Sequence, residues 1–192
     1  MTLETPTSLE ELFELFERQG HRTYGEDVTG LEHALQCAAL AFADGANQEL
    51  IAAALFHDVG WFLIDDESPD AGVVVNDDHA RLGARILSPL FGPVVAQPIA
   101  LHVVAKRWRC TIDPDYFDEL SRASQTTFVA QGGPLNTDER ERFEAHPGFV
   151  TAMALRSWDD RAKVPGLVVP GLDHYRPMAQ EIALRWRARS SV

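Results

Sequence analysis

Apolar residues recur at helical spacing along almost the whole chain, and no convincing strand ladder interrupts them. Leu12, Phe13, Leu15 and Phe16 form one face of a segment that opens on Ser8. Glu11 lies three residues on, so Ser8 and Glu11 make a capping box. A helix is predicted over 8–19, stopped by Gly20. Thr29 and Glu32 repeat the device and open an Ala- and Leu-rich helix that runs through Phe42 to Gly45. Asn47 caps the next helix, predicted over 48–58. Its Leu50 to Phe56 run is nearly all apolar, which makes it the central buried helix.

Asp77 or Asp78 caps a helix carrying His79, which ends before Pro89. Pro93 and Pro98 break the following segment, leaving a helix over 99–108. Asp113 and Pro114 start a short helix. A hydroxyl-rich stretch, 121–127, leads to a tight turn at 131–134. Residues 136–146 are charged and exposed, with His146 a surface histidine. A long helix from Pro147 reaches Lys163, and the last helix is expected over 177–189. Residues 21–28, 65–76 and 165–175 read as loops. The result is one all-α domain over 1–192: an N-terminal helix and loop (1–28), a helical core (29–164), and a C-terminal loop and helix (165–192).

Composition narrows the function. The 192 residues are 45% hydrophobic and 24% charged, as in an ordinary globular protein. The net charge of −12 argues against non-specific binding to nucleic acid or an anionic membrane. No apolar run reaches the roughly 18 residues of a membrane span. Cys37 and Cys110 form no disulfide framework and no CxxC site, and the N-terminus has no signal-peptide pattern. A cytoplasmic protein is expected.

The chemistry sits in the histidines. His57 and Asp58 end the apolar central helix. Two ionisable groups there are costly unless paired or bound to metal. His33, His57, His79 and His102 follow one another at spacings of 22 to 24 residues. Asp159 or Asp160 adds a second carboxylate. Four imidazoles and two carboxylates suffice for a two-metal site with open positions, and Asp58 has an oxygen for each ion. With no thiolate in the set, the donors suit iron. His102 and Lys106 share a helix face, so a cation lies one turn from a candidate ligand, which suits an anionic substrate. Taken singly, His33 is the kind of histidine that more often satisfies a core or a cap, and Lys106 the kind of lysine that is more often solvated.

The ordered set His33, His57-Asp58, His79, His102 and Asp159 resembles the HD-domain superfamily, most of whose members are metal-dependent phosphohydrolases. The words GEDVTGLEHALQCA, AALFHDVG, HARLGARIL, LHVVAKRW, QGGPL, WDDRAKVPG and PGLDHYRPM are similar to a narrower group, the mixed-valent diiron oxygenases that cleave carbon–phosphorus bonds. Myo-inositol oxygenase is a more distant relative. The similarity covers about 25–177 and implies a helical HD bundle with two iron ions, Fe(II) and Fe(III), and O2 as co-substrate.

The resemblance assigns His33, His57, Asp58 and Asp159 to one iron. It assigns His79 and His102 to the other, with Asp58 bridging. It gives Lys106 and Ser124 to the substrate phosphonate, adds Arg156, near Asp159 in sequence, to the substrate-binding set, and gives Glu26 to the substrate's amine. Two positions depart from the group. Relatives place an iron-gating tyrosine three residues before the glutamate, where this chain has Thr23 and a shifted Tyr24. Relatives often carry a histidine four residues after the central one, where this chain has Trp61.

An indole face suits a quaternary ammonium. The expected substrate is therefore (R)-1-hydroxy-2-(trimethylammonio)ethylphosphonate, cleaved to glycine betaine and phosphate. The primary-amine analogue, giving glycine, stands second. A phosphohydrolase on the same ligands is the alternative in reaction type, and a ligand-binding module without catalysis the alternative in class.

Overall fold

The structure is a computed structural model and describes residues 5–23, 26–63 and 79–190. Among these it is all-α, with no strand. The helices are α1 (Leu9–Gln19), α2 (Gly30–Ala43), α3 (Gln48–Phe56), α4 (His79–Phe91), α5 (Pro93–Ile112), α6 (Pro114–Glu119), α7 (Arg122–Ala130), α8 (Thr137–Glu144), α9 (Phe149–Arg161) and α10 (Leu172–Ser190). A 3₁₀ helix, Val59–Leu63, follows α3. None of the helices is long and apolar enough to cross a membrane. Tyr24, the 65–76 loop and the cap at Asp77 or Asp78 lie outside the described residues.

The local signals act as expected at the helix starts. Both capping boxes form, at Ser8 with Glu11 and at Thr29 with Glu32, and Asn136 with Glu139 makes a third. Asn47, Asp113 and Ser121 accept from the N–H groups that their helices leave open. Ser121 thereby opens α7, a helix that the hydroxyl-rich stretch did not announce. His146 is half-buried rather than on the surface, and its Nδ1 accepts from the Gly148 N–H at 2.9 Å.

Three prolines depart from expectation together. Pro89, Pro98 and Pro177 lie inside α4, α5 and α10 instead of bounding them. An internal proline strands the carbonyl four residues earlier. Those carbonyls belong to Arg85, Val94 and Asp173, all exposed residues, where water can take the place of the missing N–H. The helices therefore run through, and α5 becomes the long central strut.

The core is built around α3. Ala52 to Phe56 are wholly buried. Phe56 meets Phe13 and Phe16 of α1 edge-on, at 5.8 and 5.4 Å between centroids, and stacks on Phe91 at 5.6 Å. Phe16 also meets Phe62 of the 3₁₀ helix at 4.6 Å. Fully burying each such ring is worth about 1.5–3 kcal/mol. Phe56 and Phe62 thus anchor both ends of the turn that carries His57, Asp58, Gly60 and Trp61. α3 ends at Phe56, two residues earlier than expected, and that turn leads the chain from helix to site. Around it, α4 packs on α5, α5 on α9, and α2 on α3 and α9, so four helices aim side chains at one place.

Candidate metal centre

His33 from α2, His57 and Asp58 from the turn after α3, His79 from α4, His102 from α5 and Asp159 from α9 converge. The two oxygens of Asp58 divide them. Asp58 Oδ2 lies 3.3 Å from His57 Nε2 and 3.8 Å from His33 Nε2. Asp58 Oδ1 lies 3.6 Å from His79 Nε2 and 3.7 Å from His102 Nε2. Asp159 Oδ1 joins the first group, 3.3 Å from His33 Nε2 and 3.9 Å from His57 Nε2.

The imidazole tautomers test whether metal fits. His33 Nδ1 faces the Ala162 carbonyl at 2.8 Å, His57 Nδ1 that of Ala54 at 2.9 Å, and His102 Nδ1 that of Ile99 at 2.7 Å. A carbonyl only accepts, so each Nδ1 carries the hydrogen. In the neutral ring Nε2 of these three is then a lone pair, free to meet a metal ion. His33 Nε2 and His57 Nε2 lie 3.3 Å apart, and His79 Nε2 and His102 Nε2 3.1 Å apart. Two nitrogens about 2.1 Å from one ion, at angles near 90–109°, lie roughly 3.0–3.4 Å apart. The donor set fits two metal ions.

Charge in the metal-free cluster follows from burial. Burial alone opposes a charged His57, but Asp58 and Asp159 outweigh it and lift its pKa to about 9. Burial, then the neighbouring His102, presses His79 down to about 3. Burial, then His57, presses His102 down to about 4. Burial favours neutral carboxyls, yet His57 and His79 hold Asp58 well below its ordinary value, and Arg156 does the same for Asp159. A protonated His57 between two carboxylates is an arrangement that a metal ion would replace.

The structure separates the two aspartates. Asp159 Oδ2 pairs with Arg156 Nη1 at 2.7 Å, which leaves Oδ1 facing the histidines. Asp160 turns away. Its Oδ2 accepts from Tyr116 Oη at 2.5 Å and Arg109 Nη1 at 3.2 Å, and its Oδ1 from Arg156. Arg156 is 3% exposed, and its guanidinium is committed to Asp159, Asp160 and Tyr116. It was expected among the substrate-binding residues, but it sits behind Asp159 with its guanidinium already engaged. Cys37 Sγ is 3.7 Å from His33 Nε2, but burial pushes the thiol well up, so it is a neutral core group.

Beside the cluster two lysines meet a group of hydroxyls. Lys106, 3% exposed, donates to Thr127 Oγ1 at 2.9 Å and approaches the Ser124 carbonyl at 3.5 Å. Lys163 donates to Ser124 Oγ at 3.0 Å, to Ser121 Oγ at 3.1 Å and to Glu26 Oε1 at 2.8 Å. Sequence reasoning missed Lys163, Ser121 and Thr127. Lys163 lies four residues after Asp159, and that spacing was the available signal. The structure shows why Lys163 faces inward. Its neighbours are pinned to α2, Ala162 by His33 Nδ1 and Val164 by Gln36 in both directions, at 2.8 and 3.0 Å. Trp61 stacks on His79, with centroids 4.6 Å apart and planes 22° from parallel.

The HD domain sequence model matches residues 30–130, which hold the four histidines, Asp58, Lys106 and Ser124. The chain is 48% identical over 165 residues to a hydroxymethylphosphonate dioxygenase of Gimesia maris, covering 85% of this chain and 82% of that one. It is 36% identical over 174 residues to a [1-hydroxy-2-(trimethylamino)ethyl]phosphonate dioxygenase (glycine-betaine-forming) of Leisingera caerulea, covering 88% and 86%. The chain belongs to the HD-domain family of C–P bond-cleaving oxygenases. The chain is an oxygenase, and its histidine and aspartate groups are compatible with a metal-dependent one.

Proposed function

We propose that this oxygenase binds two iron ions in mixed valence and uses O2 to cleave the C–P bond of a small 1-hydroxyphosphonate. The observation that carries the reading is the division of Asp58, with one oxygen toward each histidine group, beside a cradle of two lysines. His33, His57, Asp58 and Asp159 would hold one ion, and His79, His102 and Asp58 the other. The second ion has fewer protein donors, which leaves more room for substrate oxygens. When bound, the iron pair supplies O2 activation and redox capacity. Lys106, Lys163, Ser124 and Thr127 would hold the phosphonate by charge-assisted hydrogen bonds. Arg156 keeps Asp159 ionised and aimed.

For hydroxymethylphosphonate the reaction balances as substrate plus O2 giving formic acid and phosphoric acid, with both oxygen atoms retained in the products. Two features favour this substrate over the cationic one expected first. Glu26, assigned to the amine, is already paired with Lys163, and one face of Trp61 is covered by His79. The greater similarity to the hydroxymethylphosphonate enzyme supports the same choice. The trimethylammonio compound stands second because Glu26 still offers a carboxylate at the cradle's edge.

The test is phosphate release by iron-loaded protein from each hydroxyphosphonate, with and without O2. The proposal expects O2-dependent release, fastest from hydroxymethylphosphonate. Faster release from the trimethylammonio compound would restore the first choice. Release that ignores O2 would indicate hydrolysis of the C–P bond and sink the oxygenase reading.

A further inference from the structure

Three of the four imidazoles in the cluster are oriented in the same way, each by an Nδ1–H bonded to a backbone carbonyl. His79 is the exception. Its Nδ1 is buried and has no hydrogen-bond partner among the described residues. Such outer hydrogen bonds normally fix the ring of a metal-binding histidine, so something else must hold this one.

Two consecutive residues of the turn after Asp58 do so. The Trp61 indole lies against the His79 ring, 4.6 Å between centroids and 22° from parallel, which fixes the plane of the imidazole. Gly60 lies against the His79 backbone. A Cβ on Gly60 would come within 2.9 Å of the His79 Cα and closer still to its carbonyl oxygen, all backbone atoms that cannot swing aside. Gly60 does not have a positive φ, so this position needs glycine for close approach, not for backbone conformation. The turn is itself held by Phe62 against Phe16, at 4.6 Å.

We infer that Gly60 and Trp61 form a seat for His79, with Trp61 a positioning residue that replaces the missing Nδ1 hydrogen bond and selectively supports the metal ion between His79, His102 and Asp58. The inference rests on the two-metal reading above. It gives Trp61 a place in the metal centre instead of in an ammonium cage. The other ion, between His33, His57 and Asp159, does not depend on the seat.

The test is anaerobic titration with ferrous iron, reading equivalents bound and the affinity of each, with circular dichroism as the check on folding. Wild-type protein should take two equivalents. The His79→Ala protein should lose one of them and define the signature. Trp61→Leu removes the ring and keeps an apolar side chain. It should weaken that same equivalent about 10- to 100-fold, the range for losing an outer partner of a metal ligand, and leave the other unchanged. Trp61→Phe keeps an aromatic face and should bind both equivalents nearly as wild type. A folded Trp61→Leu protein that binds both like wild type overturns the seat, as does one that loses both equally or a folded Trp61→Phe protein that loses one. Wild-type protein that takes up a single equivalent overturns the two-metal reading itself.

Discussion

Arg156 is the side chain whose removal has the most sharply defined consequence. It is 3% exposed and bonded to Asp159, Asp160 and Tyr116. In an Arg156→Met protein Asp160 keeps Tyr116 and Arg109. Asp159 loses the partner of its Oδ2 and retains only the histidine side of the site. Breaking a buried ion pair by removing one member costs about 3–5 kcal/mol. In a chain of this length each kcal/mol is worth about 2–4 °C, so metal-free protein should melt roughly 6–20 °C lower. Metal changes the balance, because a divalent ion beside Asp159 supplies the positive charge that the guanidinium gave. The deficit should therefore narrow once ferrous iron is bound. Thermal melts of wild type and variant, metal-free and iron-loaded under anaerobic conditions, check both parts. A metal-free deficit under about 2 °C, or one that iron does not narrow, would refute the reasoning behind these magnitudes.

Other expectations concern protons, the anion cradle and the core. His57 is protonated in the metal-free site, with a pKa of about 9. Metal uptake at neutral pH should therefore expel about one proton from it, and affinity should fall about tenfold per pH unit below that value. Weakly buffered titration with an indicator dye measures this, and uptake without proton release would show His57 already neutral. Without metal, this raised value stabilises the fold fully below the ordinary histidine value of 6.5, and the contribution is lost as the pH rises through about 9. Urea melts of metal-free protein across that window should show the decline. Lys163→Met removes a charged donor worth about 1.5–3 kcal/mol, so kcat/KM for the phosphonate should fall roughly 10- to 150-fold. Unchanged steady-state kinetics would place Lys163 outside the substrate site. Phe56→Ala should cost about 3–5 kcal/mol by denaturant unfolding, and a loss below 1 kcal/mol would mean that the turn before His57 is not anchored as described.

Much of this was legible in the chain because it depends on short windows. A capping box joins residues three apart, and Ser8 with Glu11 and Thr29 with Glu32 announced their helices for that reason. The all-α class could be read in the same way, whereas the His and Asp set was read from its order along the chain and its resemblance to the HD-domain superfamily. The internal prolines could not be placed, because their tolerance depends on exposure of a carbonyl four residues back, which only the packed helix decides. Asp159 and Asp160 look alike in sequence. They are separated by Tyr116 and Arg109, residues 44 and 51 positions away from Asp160. Lys163 finds Glu26 across 137 residues. Trp61 read as an aromatic face for a cation, and its stacking on His79 emerges only when the turn after α3 meets the start of α4.

The central claim is that this HD-domain oxygenase couples O2 to C–P cleavage. The most direct measurement follows oxygen consumption and phosphate release together on iron-loaded protein given hydroxymethylphosphonate. The account predicts one O2 consumed per phosphate released, and no phosphate in anaerobic buffer. Phosphate released at the same rate without oxygen would contradict it.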